Sequence, residues 1–362
     1  MFRTYDIRGV VDKDLTIESV TLIGQALGTY AKRQGQNTIV IARDGRLSGP
    51  VLLDALAAGI LKSGCEVIDL GAAPTPVLYY ATYALDKASG AMLTGSHNPP
   101  DYNGIKMVVD GKALSGDTIQ ALYQLIETGD LDEVSTPAQR QKNGNMLEKY
   151  IDRIVSDIQL KKPLKIVIDC GNGIAGCIAT TLYKALGCEV IELFCKVDGN
   201  FPNHHPDPSQ DENLQDLIAA VKSEQADIGL AFDGDADRLG VVTGSGKVIW
   251  PDRQLILFAK DVLSRYPGGE IIYDVKCTRY VPRLIKQFGG KPTICATGHS
   301  LVKTKLRETN ALLAGEFSGH LFFKERWYGF DDGLYAGARL LEILANNTKN
   351  IDELFSEIPD CV

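Results

Sequence analysis

No run of about 18 consecutive apolar residues occurs in this chain, so a membrane-spanning helix is not expected. The first residues, Met1-Phe2-Arg3-Thr4-Tyr5-Asp6, lack the apolar core of a secretory signal. Eight cysteines are present without a Cys-x-x-Cys pair, which indicates neither a zinc site nor a disulfide framework. Basic charge is in deficit as well. With 38 Lys and Arg against 46 Asp and Glu, the net charge is −8, arguing against nucleic acid or an anionic membrane as the main partner. Anionic small molecules stay open as ligands, because local basic clusters override a mean. What remains is a soluble globular composition, 44% hydrophobic and 23% charged, expected in the reducing cytoplasm. At 362 residues the chain is too long for one ordinary core and predicts two or three domains.

Strand-like and helix-like segments alternate, which predicts βαβ units and mixed, mostly parallel sheets. Residues 38–42 read as a buried strand, 50–62 as a helix and 64–70 as the next strand. The pattern returns as a strand over 164–169, a helix over 175–186 and a strand over 187–193. Gly64-Cys-Glu-Val-Ile-Asp-Leu70 and Gly187-Cys-Glu-Val-Ile-Glu-Leu193 are nearly one heptapeptide. A weaker third copy runs through a strand at 270–275, a helix from Pro282 and a strand at 291–295. Three consecutive related α/β domains are therefore expected, over residues 1–142, 143–248 and 249–362.

Chemistry concentrates in loops that follow apolar runs. The first is Thr94-Gly-Ser-His-Asn-Pro-Pro100, after Ala91–Leu93. Gly95 frees the turn, Pro99-Pro100 bars a helix, and Asn103-Gly104 reads as a hairpin turn into a strand starting at Ile105-Lys106. Ser96 is thus expected on an exposed tip, with Lys106 brought back near it. Adjacent side chains in an extended turn diverge, so Ser96 and His97 are not read as a nucleophile–base pair of a hydrolase. A phosphoryl carrier fits better, since a phosphoserine dianion needs a cation such as Lys106, backbone donors and a metal.

The second loop is Asp233-Gly-Asp-Ala-Asp-Arg238. In an extended loop alternate residues share a face, so the three carboxylates converge and demand a cation. An EF-hand fails, because its sixth position falls on Arg238 and its twelfth on Gly244. Open-sided oxygen ligation suits Mg2+, with Arg238 beside it as a phosphate clamp. The third loop, Gly315-Glu-Phe-Ser-Gly-His320, offers Glu316 and Ser318 to adjacent hydroxyls, although alone it reads more readily as a polar turn.

Together these strings resemble the α-D-phosphohexomutase superfamily, in its bacterial phosphomannomutase/phosphoglucomutase branch. The similarity runs from Tyr5-Asp6-Ile7-Arg8-Gly9 to about residue 355. It implies loops converging on a shared cleft, and reversible transfer of phosphate between C1 and C6 of mannose or glucose. Hexose 1-phosphate, hexose 6-phosphate and a 1,6-bisphosphate intermediate are then the small-molecule partners, with the protein a monomer. By the same resemblance Ser96 carries the phosphoryl group and joins Asp233, Asp235 and Asp237 around Mg2+. Arg8, Lys106 and Arg238 spread charge, and Lys106, His97 and His320 are all candidates for the general base. Tyr5, Lys276, His299, Glu316, Ser318 and His320 face substrate, with Glu316 and Ser318 on hydroxyls 3 and 4, which glucose and mannose share. The superfamily usually continues into a fourth, phosphate-gripping domain. Its loop is not found here, so an impaired mutase or an inactive sugar-phosphate-binding fragment is also expected.

A rival reading comes from Gly171-Asn-Gly-Ile-Ala-Gly176, a G-x-G-x-x-G string after a strand, with Glu192 about twenty residues on. That pattern fits an NAD-dependent dehydrogenase, but it leaves the other three loops unexplained.

Overall fold

The computed structural model describes residues 1–2, 5–86, 89–136 and 138–359; residues 360–362 of the expected third domain lie outside it. The chain divides into two compact units, residues 1–150 with 198–202, and residues 151–197 with 203–362.

The first unit is built on one sheet, with strands β1 (Ile7–Val10), β2 (Thr38–Arg43), β3 (Glu66–Ala72), β4 (Gly90–Leu93), β5 (Tyr102–Val109), β6 (Lys112–Ala113) and β7 (Arg140–Lys142). Among the described residues the order is β1-β5-β4-β2-β3-β7, with β6 on β5. The β2 run Thr-Ile-Val-Ile-Ala is buried throughout, as a strand covered on both faces requires. Helices α1 (Ile17–Arg33), α2 (Gly49–Lys62), α3 (Thr75–Ala84) and α4 (Asp117–Thr128) cover the sheet. Thr16 and Ser19 cap α1 reciprocally, satisfying its first free N–H groups. The core beneath includes Ile7, Leu27, Ile39, Leu56, Leu93 and Ile105. Helix α5 (Met146–Asp157) follows.

The second unit holds two sheets. One contains β8 (Lys165–Asp169), β9 (Glu189–Leu193), β10 (Ile228–Phe232), β11 (Leu239–Thr243) and β12 (Val248–Ile249), ordered β12-β11-β10-β8-β9. The other contains β13 (Glu270–Asp274), β14 (Lys291–Cys295), β15 (Leu313–Gly315) and β16 (Leu321–Phe323), ordered β14-β13-β15-β16. Their helices are α6 (Ala179–Ala185), α7 (Gln215–Glu224), α8 (Pro251–Arg265), α9 (Tyr280–Gln287), α10 (His299–Thr309), α11 (Gly333–Ala345) and α12 (Ile351–Ser356). None of the described helices is long and apolar enough to cross a membrane.

The repeat seen in the sequence is a repeat of topology. In the first sheet β3, β2 and β4 are parallel and β5 returns antiparallel. The same pattern joins β9, β8, β10 and β11, and again β14, β13, β15 and β16. The matching heptapeptides supply β3 and β9, the parallel neighbours of β2 and β8. In each sheet the loop between the last parallel strand and its antiparallel return carries one of the motifs above. Three α/β modules of one plan, with mixed sheets, are the observed architecture.

Two local expectations fail. Asn103-Gly104 is not a turn: both residues lie inside β5, paired with Gly9 and Arg8 of β1. A central strand gains ladder bonds on both edges, and that outweighs the hairpin preference of an isolated Asn-Gly. The helix expected over 175–186 is broken instead into a 3-10 turn, Ile174–Cys177, and α6, because Ile178 leaves helical geometry at φ −140°.

Candidate active site

The β4–β5 loop is a turn wound around Ser96, which adopts the left-handed φ of +48°. Ser96 is buried at 1% exposure, contrary to the exposed tip expected from its glycine and prolines. The departure has a cause in the next loop of the same unit. Asp44 and Arg46, both 1% exposed, follow β2 and fill the inside of the turn. Asp44 Oδ2 accepts from Thr94 Oγ1 at 2.7 Å and from the Gly95 amide at 3.1 Å. Thr94 Oγ1 in turn accepts the Ser96 amide at 2.8 Å.

The left-handed turn also brings the Ser96 hydroxyl to 3.2 Å from His97 Nδ1, so these adjacent side chains do not diverge as an extended turn would make them. Arg8, on β1, donates to Asn98 Oδ1 at 2.5 Å and to Asp6 at 2.5 Å, which fixes a cation beside the loop. Lys106 is buried at 3% exposure and pairs in β5 opposite Met92 of β4. Tyr5 is 37% exposed.

In the second unit the β10–β11 loop gathers Asp233, Asp235 and Asp237, all 0% exposed, with one oxygen of each within 4.8 Å of the others. The convergence comes from a tight turn and not from extended alternation. Ala236 is left-handed at φ +66°, and its amide donates to Asp233 O at 3.1 Å. Three buried carboxylates at such spacing repel one another, and hard oxygen donors at this spacing fit a divalent cation. Arg238 partly offsets them: its amide lies 3.2 Å from Asp233 Oδ1 and its Nε 3.8 Å from Asp233 Oδ2.

The β15–β16 loop lies directly against this one, through a bridge pairing Arg238 with His320. His320 Nε2 is 3.3 Å from Asp237 Oδ1, and Nδ1 is 3.1 Å from Glu316 Oε2 and 2.9 Å from Ser318 Oγ. Burial pushes its pKa down, but the charge of Asp237 together with hydrogen bonding to Asp237 and Glu316 outweighs burial and raises it to about 9. Arg238 Nε lies 3.3 Å from the same ring nitrogen, Nε2.

Glu316 is 1% exposed, with Oε1 accepting the Gly298 amide at 2.5 Å, whereas Ser318 is half-buried. His299 opens α10 with its ring centroid 5.6 Å from that of His320 and Nδ1 3.5 Å from Asp331, which also accepts from Lys303 at 2.8 Å. Lys276 is exposed and lines a cavity of about 570 Å³ with Lys247, Trp250, Arg253 and Phe317. The second unit thus brings together Asp233, Asp235, Asp237, Arg238, Glu316, Ser318, His320 and His299.

Sequence reasoning missed a set of buried carboxylates that hold these loops. Asp44 after β2, Asp169 ending β8 and Asp274 ending β13 occupy equivalent strand ends in the three sheets. Asp274 accepts from Thr297 Oγ1 at 2.9 Å and from the amides of Lys276 at 3.2 Å and Phe317 at 3.3 Å, tying three loops together. Asp169 accepts the Gly171 amide at 2.9 Å and lies 3.0 Å from His204 Nε2. The available signal was an aspartate closing the same strand of each repeat.

The glycine string at 171–176 is filled by protein. A side chain on Gly171 would lie 3.1 Å from Pro206 and 3.2 Å from His204, and one on Gly173 would lie 3.0 Å from Gly234 of the aspartate loop. The turn packs against its own unit instead of presenting open amides to a pyrophosphate, and the seven-residue α6 is a poor dinucleotide helix.

Three α/β modules of one plan, each presenting a polar loop at the same strand crossover, form the phosphohexomutase fold. The chain belongs to the phosphoglucomutase/phosphomannomutase family: the models for its α/β/α domains I, II and III match residues 1–133, 148–246 and 250–361. The phosphomannomutase/phosphoglucomutase of Pseudomonas aeruginosa is 56% identical over 99% of this chain and 77% of that protein. A phosphoglucomutase of Neisseria meningitidis is 53% identical over 100% of this chain and 78% of its own length. A crystal structure of a family member from Burkholderia thailandensis superposes with a TM-score of 0.96 at 54% identity, covering 100% of this chain and 80% of that one.

Proposed function

We propose that this chain catalyses reversible phosphoryl transfer between C1 and C6 of glucose and mannose phosphates, with Ser96 as the carrier. The Ser96 Oγ–P bond breaks as the phosphorus bonds to the sugar's free hydroxyl oxygen, that hydroxyl's proton passes to a base, and the released Ser96 Oγ takes up a proton. The 1,6-bisphosphate turns round, Ser96 Oγ gives up its proton as it bonds to the other phosphorus, and the sugar oxygen released there takes up a proton. His97, Lys106 and His320 are the candidates for that base, and the 3.2 Å from His97 Nδ1 to Ser96 Oγ supports proton exchange with the serine itself. Arg8, Lys106 and Arg238 spread the phosphoryl charge. Asp233, Asp235 and Asp237, with an oxygen of Ser96, would hold Mg2+, which when bound neutralises phosphoryl oxygens. Glu316 and Ser318 take hydroxyls 3 and 4, while Tyr5, Lys276, His299 and His320 contact the rest of the substrate.

The observation that carries this reading is the burial of Ser96 in a left-handed turn beside a histidine and a tethered arginine, in a chain of this family. Conversion of glucose 1-phosphate to glucose 6-phosphate, followed in a coupled assay with the bisphosphate as primer, tests it. Wild type is expected to turn over and Ser96→Ala to retain a trace. Equal rates for the two proteins overturn the reading.

A further inference from the structure

Arg46 lies nowhere among the residues that touch substrate in the reading above, yet its bonding is saturated. Its side chain has 0% exposure, and each of the five guanidinium N–H groups has an acceptor. Nε–H donates to Asp44 Oδ2 at 3.2 Å. One terminal nitrogen donates to Pro99 O at 2.5 Å and Tyr102 O at 2.9 Å. The other donates to Ser96 O at 2.8 Å and Asn98 O at 2.6 Å. The ring of Phe201 covers the guanidinium, 5.2 Å from Cζ. Three carbonyls of the β4–β5 loop, the carrier's own among them, and that of Tyr102 at the start of β5 therefore converge on a single cation.

We propose that Arg46 is a positioning residue for phosphoryl transfer: it holds the Ser96 backbone in its left-handed turn and thereby aims Oγ. The proposal rests on Ser96 being the carrier. A left-handed serine is strained and persists only when its surroundings over-determine it. Here the Ser96 amide is taken by Thr94, Thr94 is held by Asp44, and the Ser96 carbonyl is held by Arg46. The direction of the Cα–Cβ bond is thus set from both sides by one buried ion pair. The same arrangement turns four carbonyl dipoles onto a cation instead of leaving them to oppose a phosphoryl dianion. Lysine cannot replace it, since three donors on a flexible stem do not reproduce a planar fork of five.

Gly95 is the matching half of the device. A Cβ there would lie 2.4 Å from both Cζ and Nε of Arg46, so Gly95→Ala displaces the guanidinium without altering any charge. The two residues form a pair that a mutant cycle resolves. Arg46→Lys, Gly95→Ala, the double variant and Ser96→Ala are compared by kcat and KM for glucose 1-phosphate, thermal midpoint and phosphoryl content at Ser96. Each single loop variant is expected to lose about 100-fold in kcat, the effect of an ångström-scale misplacement. KM should stay within about threefold, since binding is left intact. The double variant should be no slower than the slower single one, because both changes remove the same contact. Wild-type kcat per phosphorylated molecule in Arg46→Lys, with only a lowered midpoint, would make the arginine merely structural and overturn the proposal. Additive losses in the double variant overturn it as well. If Arg46→Lys does not fold, Gly95→Ala decides by the same kcat and KM comparison. Ser96→Ala reports on the carrier alone: absence of phosphoryl incorporation there, beside unimpaired Arg46→Lys and Gly95→Ala, rejects this proposal and leaves the carrier standing.

Discussion

Neutralising one aspartate of the β10–β11 loop should reverse the order of stability of two proteins, depending on whether a cation is supplied. At an effective dielectric of about 20, unit charges at the 4.8 Å limit separating the Asp233, Asp235 and Asp237 oxygens repel by about 3.5 kcal/mol per pair. Asp235→Asn removes two such repulsions, about 7 kcal/mol gross. Against this stand the burial of an amide, costing about 1–3 kcal/mol where it finds no partner, and the attraction of Asp235 to nearby Arg238. We expect a net gain of about 1–2 kcal/mol in EDTA, which for a unit of this size raises the midpoint by about 2–8 °C. Wild type with Mg2+ at about 100 times its dissociation constant gains about 2.7 kcal/mol, or about 5–10 °C, and the variant forfeits most of that. Differential scanning calorimetry of both proteins, in EDTA and in excess Mg2+, should show the curves exchanging order. The same order in both buffers would refute the cation site.

The remaining predictions are simpler. Gly176→Ala places a Cβ 1.9 Å from the Cys195 carbonyl oxygen, a backbone atom that cannot swing aside, so urea unfolding should show a loss of about 1–3 kcal/mol; an unchanged midpoint contradicts the packing. Burial lowers the pKa of His204, but its hydrogen bond and charge interaction with Asp169 outweigh burial and leave it raised. The stability from this pair is therefore fully present below a pH of about 6.5 and lost as pH rises through the folded value, so His204→Gln should cost more at about pH 6 than at about pH 9. Equal cost in urea melts at the two pH values removes the ion pair from the account. Glu316→Ala should weaken glucose and mannose phosphates alike in KM, because the hydroxyls assigned to it are common to both; a defect confined to one epimer would move it to carbon 2.

The strands and the three loops were legible because their signals are local. A β-branched run such as Thr38–Ala42 has few alternatives, and a polar string at its end marks the sheet's carboxyl edge. The near-identity of the segments at 64–70 and 187–193 exposed the repeat before any topology was known. What was not legible depends on contacts between distant residues. Asn103-Gly104 carries a strong turn preference that pairing with β1 overrides. The exposure of Ser96 was misjudged because nothing around residue 96 announces that Asp44 and Arg46 occupy the inside of its turn. His97 was set aside as a partner of Ser96 on the assumption of an extended backbone, and one left-handed residue cancels that assumption. The carboxylates of the β10–β11 loop were rightly grouped, but by the wrong geometry, since a turn at Ala236 gathers them.

The central claim is that a phosphoryl group resides on Ser96 between half-reactions. Incubation of the purified chain with hexose 1,6-bisphosphate labelled in its phosphates, followed by proteolysis and mass analysis, tests it most directly. The account predicts label on the peptide containing Thr94–Pro100, at Ser96, and its discharge on adding unlabelled glucose 1-phosphate or mannose 1-phosphate. Label at any other residue, or a peptide that stays unmodified while the protein turns over, would contradict it.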